Sequence, residues 1–178
     1  AVHWGFVQRG LFLVAIQAVW VNASWSGFDR LRLDHLGIIA TIGLSMILVS
    51  FMAAWRWQLR AALVAVLFLV HPFLLRIPYD LKGVAHYPME LLIASGDFTK
   101  YPLLPWFALA LLGSVMAHFW FDVWHDPDQR ARRSVTIGLA LVAAAYAVRL
   151  GQGFGNIFAW NTFFSYSFFL DQKYPPSL

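Results

Sequence analysis

Residues 10–28, 36–55, 61–75, 101–121 and 134–148 are apolar runs that carry no Asp, Glu, Lys or Arg. No other feature constrains the fold as strongly. An α-helix rises about 1.5 Å per residue, so roughly 20 apolar residues cross a hydrocarbon core. The first, second and fourth stretches are long enough alone. The third and fifth have 15 residues each and span with flanking residues or with Arg and Lys that snorkel to the interface. Strands are excluded on two grounds. Period-2 alternation is absent, and a bilayer admits only helices or closed barrels. The expected fold is therefore an all-α integral membrane protein, a polytopic transmembrane helix bundle. Its helices are expected at about 8–23, 35–55, 59–76, 102–124 and 133–150. They form a single transmembrane segment over 1–178, whose tail, 151–178, leads into a further helix.

Composition agrees. Charged residues make up 12% of the chain and hydrophobic ones 60%, whereas a soluble domain carries about 25% charged residues. A water-soluble globule, a disordered tail and a nucleic-acid binder are excluded, and the implied partner is the lipid bilayer. The net charge of +4 sits between the apolar runs, where juxtamembrane basic residues belong. With no cysteine, disulfides, thiolate catalysis and Cys-based metal sites are ruled out. No signal-peptide pattern is present. The missing initiator Met and the closing Lys173-Tyr-Pro-Pro-Ser-Leu178 suggest part of a longer membrane protein, since Pro suits a first helical turn.

Basic residues in short loops set the orientation. Arg56 and Arg60 fall in loop 55–60, and Arg130, Arg132 and Arg133 in loop 124–133. Both loops are assigned to the cytoplasmic side. Loops 24–34 and 77–100 mix acids with bases and face the other way. Within loop 77–100, Tyr87–Ala94 reads as a short surface helix.

Ionisable groups inside membrane spans are functional candidates by default. His118, Asp122 and His125 share one helix face and suit either a metal or proton relay, or a helix end near water. His71 precedes Pro72 in the third helix and has no opposite His for a haem. Asp34-His35 is an acid–base pair or, by position, an N-cap for the second helix. Gly37, Gly43 and Ser45 there permit close helix contact. Arg9 is an interfacial anchor or a phosphate ligand, and Arg149 is either favoured by the helix dipole at the end of the fifth helix or lines a polar cavity with Gln152, Asn156 and Asn161. Asn22-Ala-Ser24 matches a glycosylation sequon.

Two stretches carry more information. Tyr101-Pro-Leu-Leu-Pro-Trp-Phe107 with Leu112-Gly113 resembles the helix-start signature of bacterial membrane proteins related to heparan-α-glucosaminide N-acetyltransferase. The tail Phe163–Leu178, ending Lys-Tyr-Pro-Pro-Ser-Leu, resembles a second segment of that family. Gln8-Arg-Gly-Leu11 and Asp34–Met46 resemble two more, in the same order and spacing.

The resemblance implies an integral membrane acyltransferase of the bacterial inner membrane. Acetyl-CoA or another acyl-CoA would be used on the cytoplasmic side. The acyl group would pass to a sugar amine or hydroxyl of a cell-envelope glycan on the far side. The family's His lies upstream of Ala1, so the catalytic residue is unknown here. Arg56, Arg60, Arg130, Arg132 and Arg133 are the candidates for the CoA phosphates, and positive-inside topology is the competing explanation. Arg76, Asp80, His86, Glu90 and Tyr101 are the candidates for meeting the sugar, with Tyr87 and Trp106 as stacking surfaces. No metal is called for. The rival reading is a non-catalytic auxiliary or scaffold subunit of a larger membrane complex. The chain's association with itself or with other membrane subunits stays open. A transporter ranks last, since no run holds several mid-membrane charges.

Overall fold

The computed structural model of the chain describes residues 2–29, 35–78, 83 and 85–151. The expectations placed on Asp34, Asp80, Gln152, Asn156, Asn161 and the tail 152–178 lie outside these residues. Among the described residues every regular element is a helix. The elements are α1 (Val2–Ile16), a π-helical turn (Gln17–Val21), α2 (Asn22–Trp25), α3 (Ile38–Met52), α4 (Trp57–Leu74), α5 (His86–Leu92), α6 (Leu103–His118), a second π-helical turn (Phe119–Val123) and α7 (Pro127–Gly151). Four helical stretches are long and apolar enough to cross a membrane: His3–Trp25, Trp57–Leu74, Leu103–Val123 and Pro127–Gly151. Together with the shorter apolar helix Ile38–Met52, they make this a helical membrane protein. Contacts divide the chain into two units, Ala1–Val115 and Met116–Leu178.

Helix limits differ from the charge-free runs for local reasons. The first span begins at His3 because Gln8 and Arg9 are good helix formers and Arg9 stays exposed. The last begins at Pro127 rather than near 133. Asp126 caps it, its carboxylate accepting from the Gln129 N–H at 3.1 Å, and Pro127 occupies the first turn, where no N–H is needed. Arg130, Arg132 and Arg133 are therefore inside the helix. The second helix is shorter than expected. Gly37, extended at φ −88° and ψ −178°, is its N-cap, without a side-chain cap. Over 15 residues it is only about 22 Å long.

In the first unit α1 and α3 run antiparallel. His3 Nδ1 meets the Ser50 carbonyl at 2.5 Å at one end, and Gly37 lies against the Gln17 amide at the other. Midway, the two backbones touch. A Cβ on Gly10 would lie 2.5 Å from the Gly43 carbonyl oxygen, and a Cβ on Gly43 would lie 2.5 Å from the Gly10 oxygen. Membrane helices have no water to expel from between them, so close backbone contact of this kind is a main source of association. A core of Val64, Leu103, Phe107 and Leu111 joins α4 to α6, and Leu44, Leu48, Val49 and Met52 of α3 pack on it.

Polar residues hold the ends of this packing. Arg60 is buried and donates from one Nη to both the Ser114 carbonyl and Ser114 Oγ, each at 3.0 Å. Thr41 Oγ1 of α3 donates to the Tyr101 carbonyl at 2.9 Å. Large apolar side chains cover much of the outer helix surface, with Trp20, Trp25, Leu69 and Phe73 all exposed, as bilayer contact requires.

Gly10→Val and Gly43→Val each force the α1–α3 backbones apart and are expected to cost about 1–3 kcal/mol. Thermal unfolding in detergent checks this. Gly113→Ala, where an added Cβ meets nothing within 4 Å, is the matched control and should melt at or slightly above the parent temperature.

Candidate functional site

The connection between α4 and α6 holds the most unusual residue of the described chain. Glu90 lies on the two-turn helix α5 and is 1% exposed. A carboxylate out of water is costly unless it is paired and hydrogen-bonded. Two groups compensate it. Its Oε2 accepts the Phe98 N–H at 2.7 Å. Its Oε1 lies 3.2 Å from His86 Nδ1, one helical turn earlier. That separation is within ion-pair range, although the angle falls short of a hydrogen bond. Gly96 closes the pocket, because a Cβ there would fall on the carboxylate.

Around this carboxylate the loop 93–101 is tied down by short-range and long-range bonds. His71, buried near the end of α4, meets the Ile93 carbonyl through Nε2 at 3.0 Å. Thr99 is buried. Its carbonyl accepts from the Gly96 N–H at 2.8 Å and its Oγ1 accepts from the Tyr101 N–H at 3.0 Å. The segment before α3 pairs alongside. The Leu36 N–H donates to the Phe98 carbonyl at 2.7 Å, and His35 Nδ1 lies 3.1 Å from the Asp97 carbonyl. His35 is thereby a loop contact. On the far side of that segment, Gln17 Nε2 donates to Asn22 Oδ1 and Asn22 Nδ2 donates to the His35 carbonyl, both at 2.8 Å. Asn22 is buried and committed on both sides of its amide, which removes the glycosylation reading.

Aromatic rings line the same connection. The Tyr87 ring stands edge-on to His86 at 5.1 Å and to Phe98 at 5.3 Å, and Tyr87 is 57% exposed. Tyr101 and Trp106 form a second pair at 5.5 Å, with the Trp106 indole nitrogen buried and without a hydrogen-bond partner.

Of the residues expected to meet a sugar, the structure pairs His86 with Glu90 and Tyr101 with Trp106. Arg76 is exposed beyond the end of α4, its guanidinium over the Phe73 ring at 5.7 Å. Asp80 lies outside the described residues. Among the arginines assigned to CoA, Arg56 is exposed, and Arg60 is buried on Ser114 and serves packing. In the second unit, Arg130 Nε donates to the Trp124 carbonyl at 2.5 Å. The Arg130 guanidinium lies 5.9 Å from the centre of Trp120, and that of Arg133 lies 5.6 Å from the centre of Trp124. Arg132 is exposed. His118 and Asp122 are bonded at 2.8 Å, and among the described residues no three His, Cys, Asp or Glu converge to hold a metal.

A search of the runs for formal charge passes over Gln17, Asn22, Thr41 and Thr99, which carry much of the network. Gln17 and Asn22 are the signals available, as amides inside the apolar run 10–28.

Gly96→Ala should displace the Glu90 carboxylate and cost about 1–3 kcal/mol. Thr41→Val should cost less, about 0.5–1.5 kcal/mol for one hydrogen bond. Thermal unfolding in detergent ranks the two.

Comparison with curated proteins and with solved structures gives no match. Comparison with protein families gives one over residues 3–145, to the family described as heparan-alpha-glucosaminide N-acetyltransferase, catalytic. The match covers most of the chain, and the chain belongs to that family.

Proposed function

We propose that the chain is part of an integral membrane acyltransferase that moves an acetyl or other acyl group from acyl-CoA to a sugar of the cell envelope, in the bacterial inner membrane. The observation that carries the reading is the family match over 3–145 on a chain whose helices suit a bilayer.

Acyl transfer asks for three things. Cations must hold the CoA phosphates, a base must take the proton of the accepting amine or hydroxyl, and donors must steady the developing oxyanion. Arg56, Arg130, Arg132 and Arg133 are the phosphate candidates. Arg56 and Arg132 are exposed. Arg130 and Arg133 lie over tryptophan rings, where a guanidinium keeps its charge and outer N–H groups for a phosphate fork. The sequence assigns both arginine loops to the cytoplasmic side, where CoA is found. Arg60, the fifth candidate, is buried and bonds Ser114.

The loop between α4 and α6 is assigned to the opposite side. Its buried carboxylate, half-buried His and clustered rings supply groups for a polar, ring-shaped acceptor. A buried glutamate held by a backbone N–H and an imidazole exceeds what a simple connection between two spans requires, and it favours a transferase over a scaffold subunit.

Titration of the purified full-length protein with acetyl-CoA by calorimetry checks the donor. Saturable binding in the micromolar range is expected. Replacing Arg130, Arg132 and Arg133 together by Ala should weaken it about 10-fold or more, since charge-assisted contacts to phosphate are the strong ones. No heat from well-folded protein would overturn the acyl-CoA reading.

A further inference from the structure

Independently of the transferase reading, we infer that Arg60 forms a site for one anionic phospholipid, whose phosphate sits on the free edge of the guanidinium where α4 enters the membrane. Arg60 is 8% exposed, and a charge held out of water is costly unless it is paired. One Nη donates to the Ser114 carbonyl and hydroxyl, both of them neutral acceptors. Among the described residues no carboxylate lies within ion-pair distance of it. The first unit has none to offer at this end. The acids of residues 1–115 are Asp29, Asp34, Asp80, Glu90 and Asp97, all in the loops assigned to the opposite side. The first turn of α4 holds no acid, and Arg56, one turn before Arg60, adds a like charge.

The free edge has the form a phosphate needs. Arg60 Nε is enclosed and has no hydrogen-bond partner. The second Nη is also unbonded, but it is not enclosed, so it is the point of contact with the outside. The N–H groups of these two nitrogens run parallel from one edge of the guanidinium plane, as a fork that grips two phosphate oxygens. An anion seated there satisfies the orphan Nε and neutralises the buried charge together.

Depth selects a lipid over a soluble anion. Arg60 is the fourth residue of α4, and one turn further in Val64 belongs to the apolar core. Trp55 and Trp57 precede it, and indoles gather at headgroup level. Phe51 and Leu59, on the two helices joined here, are large, apolar and exposed. A diacyl lipid lays its chains on such side chains while its phosphate reaches the guanidinium. Inorganic phosphate or a nucleotide gains nothing from them.

The test uses the full-length protein in detergent, with dioleoylphosphatidylglycerol as the probe and dioleoylphosphatidylcholine as the neutral control. Native mass spectrometry should find one phosphatidylglycerol held at least about 10-fold more tightly than phosphatidylcholine. The same lipid should raise the melting temperature by about 4 °C or more at saturation. Arg60→Met removes the uncompensated charge and keeps an apolar stem. It should melt at or above the wild-type temperature without lipid and lose the response to phosphatidylglycerol. Arg60→Lys keeps the charge and can still reach Ser114, so its fold should persist. It has no fork, and its affinity for the lipid should fall about 3-fold or more.

Equal affinity for the two lipids in the wild-type protein would overturn the inference. So would an Arg60→Met protein that melts lower yet keeps the full lipid response, since Arg60 would then serve packing alone. If Arg60→Met does not fold, Arg60→Lys decides, and wild-type affinity in that variant is the contrary result. Displacement of phosphatidylglycerol by saturating inorganic phosphate or acetyl-CoA would give the site to a soluble anion and overturn the lipid assignment. None of these outcomes bears on whether the protein transfers acyl groups.

Discussion

A carboxylate taken out of water must find its compensation inside the protein, and Glu90 shows how far that requirement reaches. Its two oxygens engage the Phe98 N–H and His86. Phe98 in turn accepts from Leu36 at the threshold of α3, and Thr99 next to it bonds the start of α6. His71 brings in α4 through Ile93. A single buried charge thus sits where the approaches to three helices converge. The loop between α4 and α6 is fixed by side chains more than by regular structure, with α5 only seven residues long.

The bundle beneath it obeys a different rule. Between membrane helices there is little hydrophobic gain, because lipid tails are as apolar as the side chains they replace. Contact area and polar bonds must serve instead. Gly10 and Gly43 let α1 and α3 meet backbone to backbone. Gln17 and Asn22 bond each other and then the His35 carbonyl, and Gln17 opens a π-helical turn. Such turns often occur where a helix carries a functional or structural burden. At the other end, Arg60 bonds Ser114.

Much of the fold was legible in the sequence because absence of charge over 15 to 20 residues leaves a chain few options in lipid. Gly43 was readable as a contact residue, whereas its partner Gly10 was not, since pairing is a property of two helices. Helix limits were less readable. Charge-free runs stop at Arg133, yet α7 begins at Pro127, as Arg side chains reach the interface from inside a helix. The site was legible only as a set of residue types. His86 and Glu90 stood out as ionisable residues in a long loop, but their pairing depends on α5 being helical from His86 and on Gly96 folding back over the carboxylate. Arg60 read as a ligand candidate with the other arginines. Only the burial of α4 against α6 shows it serving the packing.

If the two faces of the molecule divide the work as proposed, the donor enters from one side of the membrane and the product appears on the other. Full-length protein in sealed vesicles, given radiolabelled acetyl-CoA only on the side of the arginine loops and an amino-sugar glycoside only on the opposite side, tests this directly. The account predicts labelled glycoside on the far side, dependent on the protein and absent when acetyl-CoA is withheld. Labelled glycoside formed only when donor and acceptor share one side would contradict it.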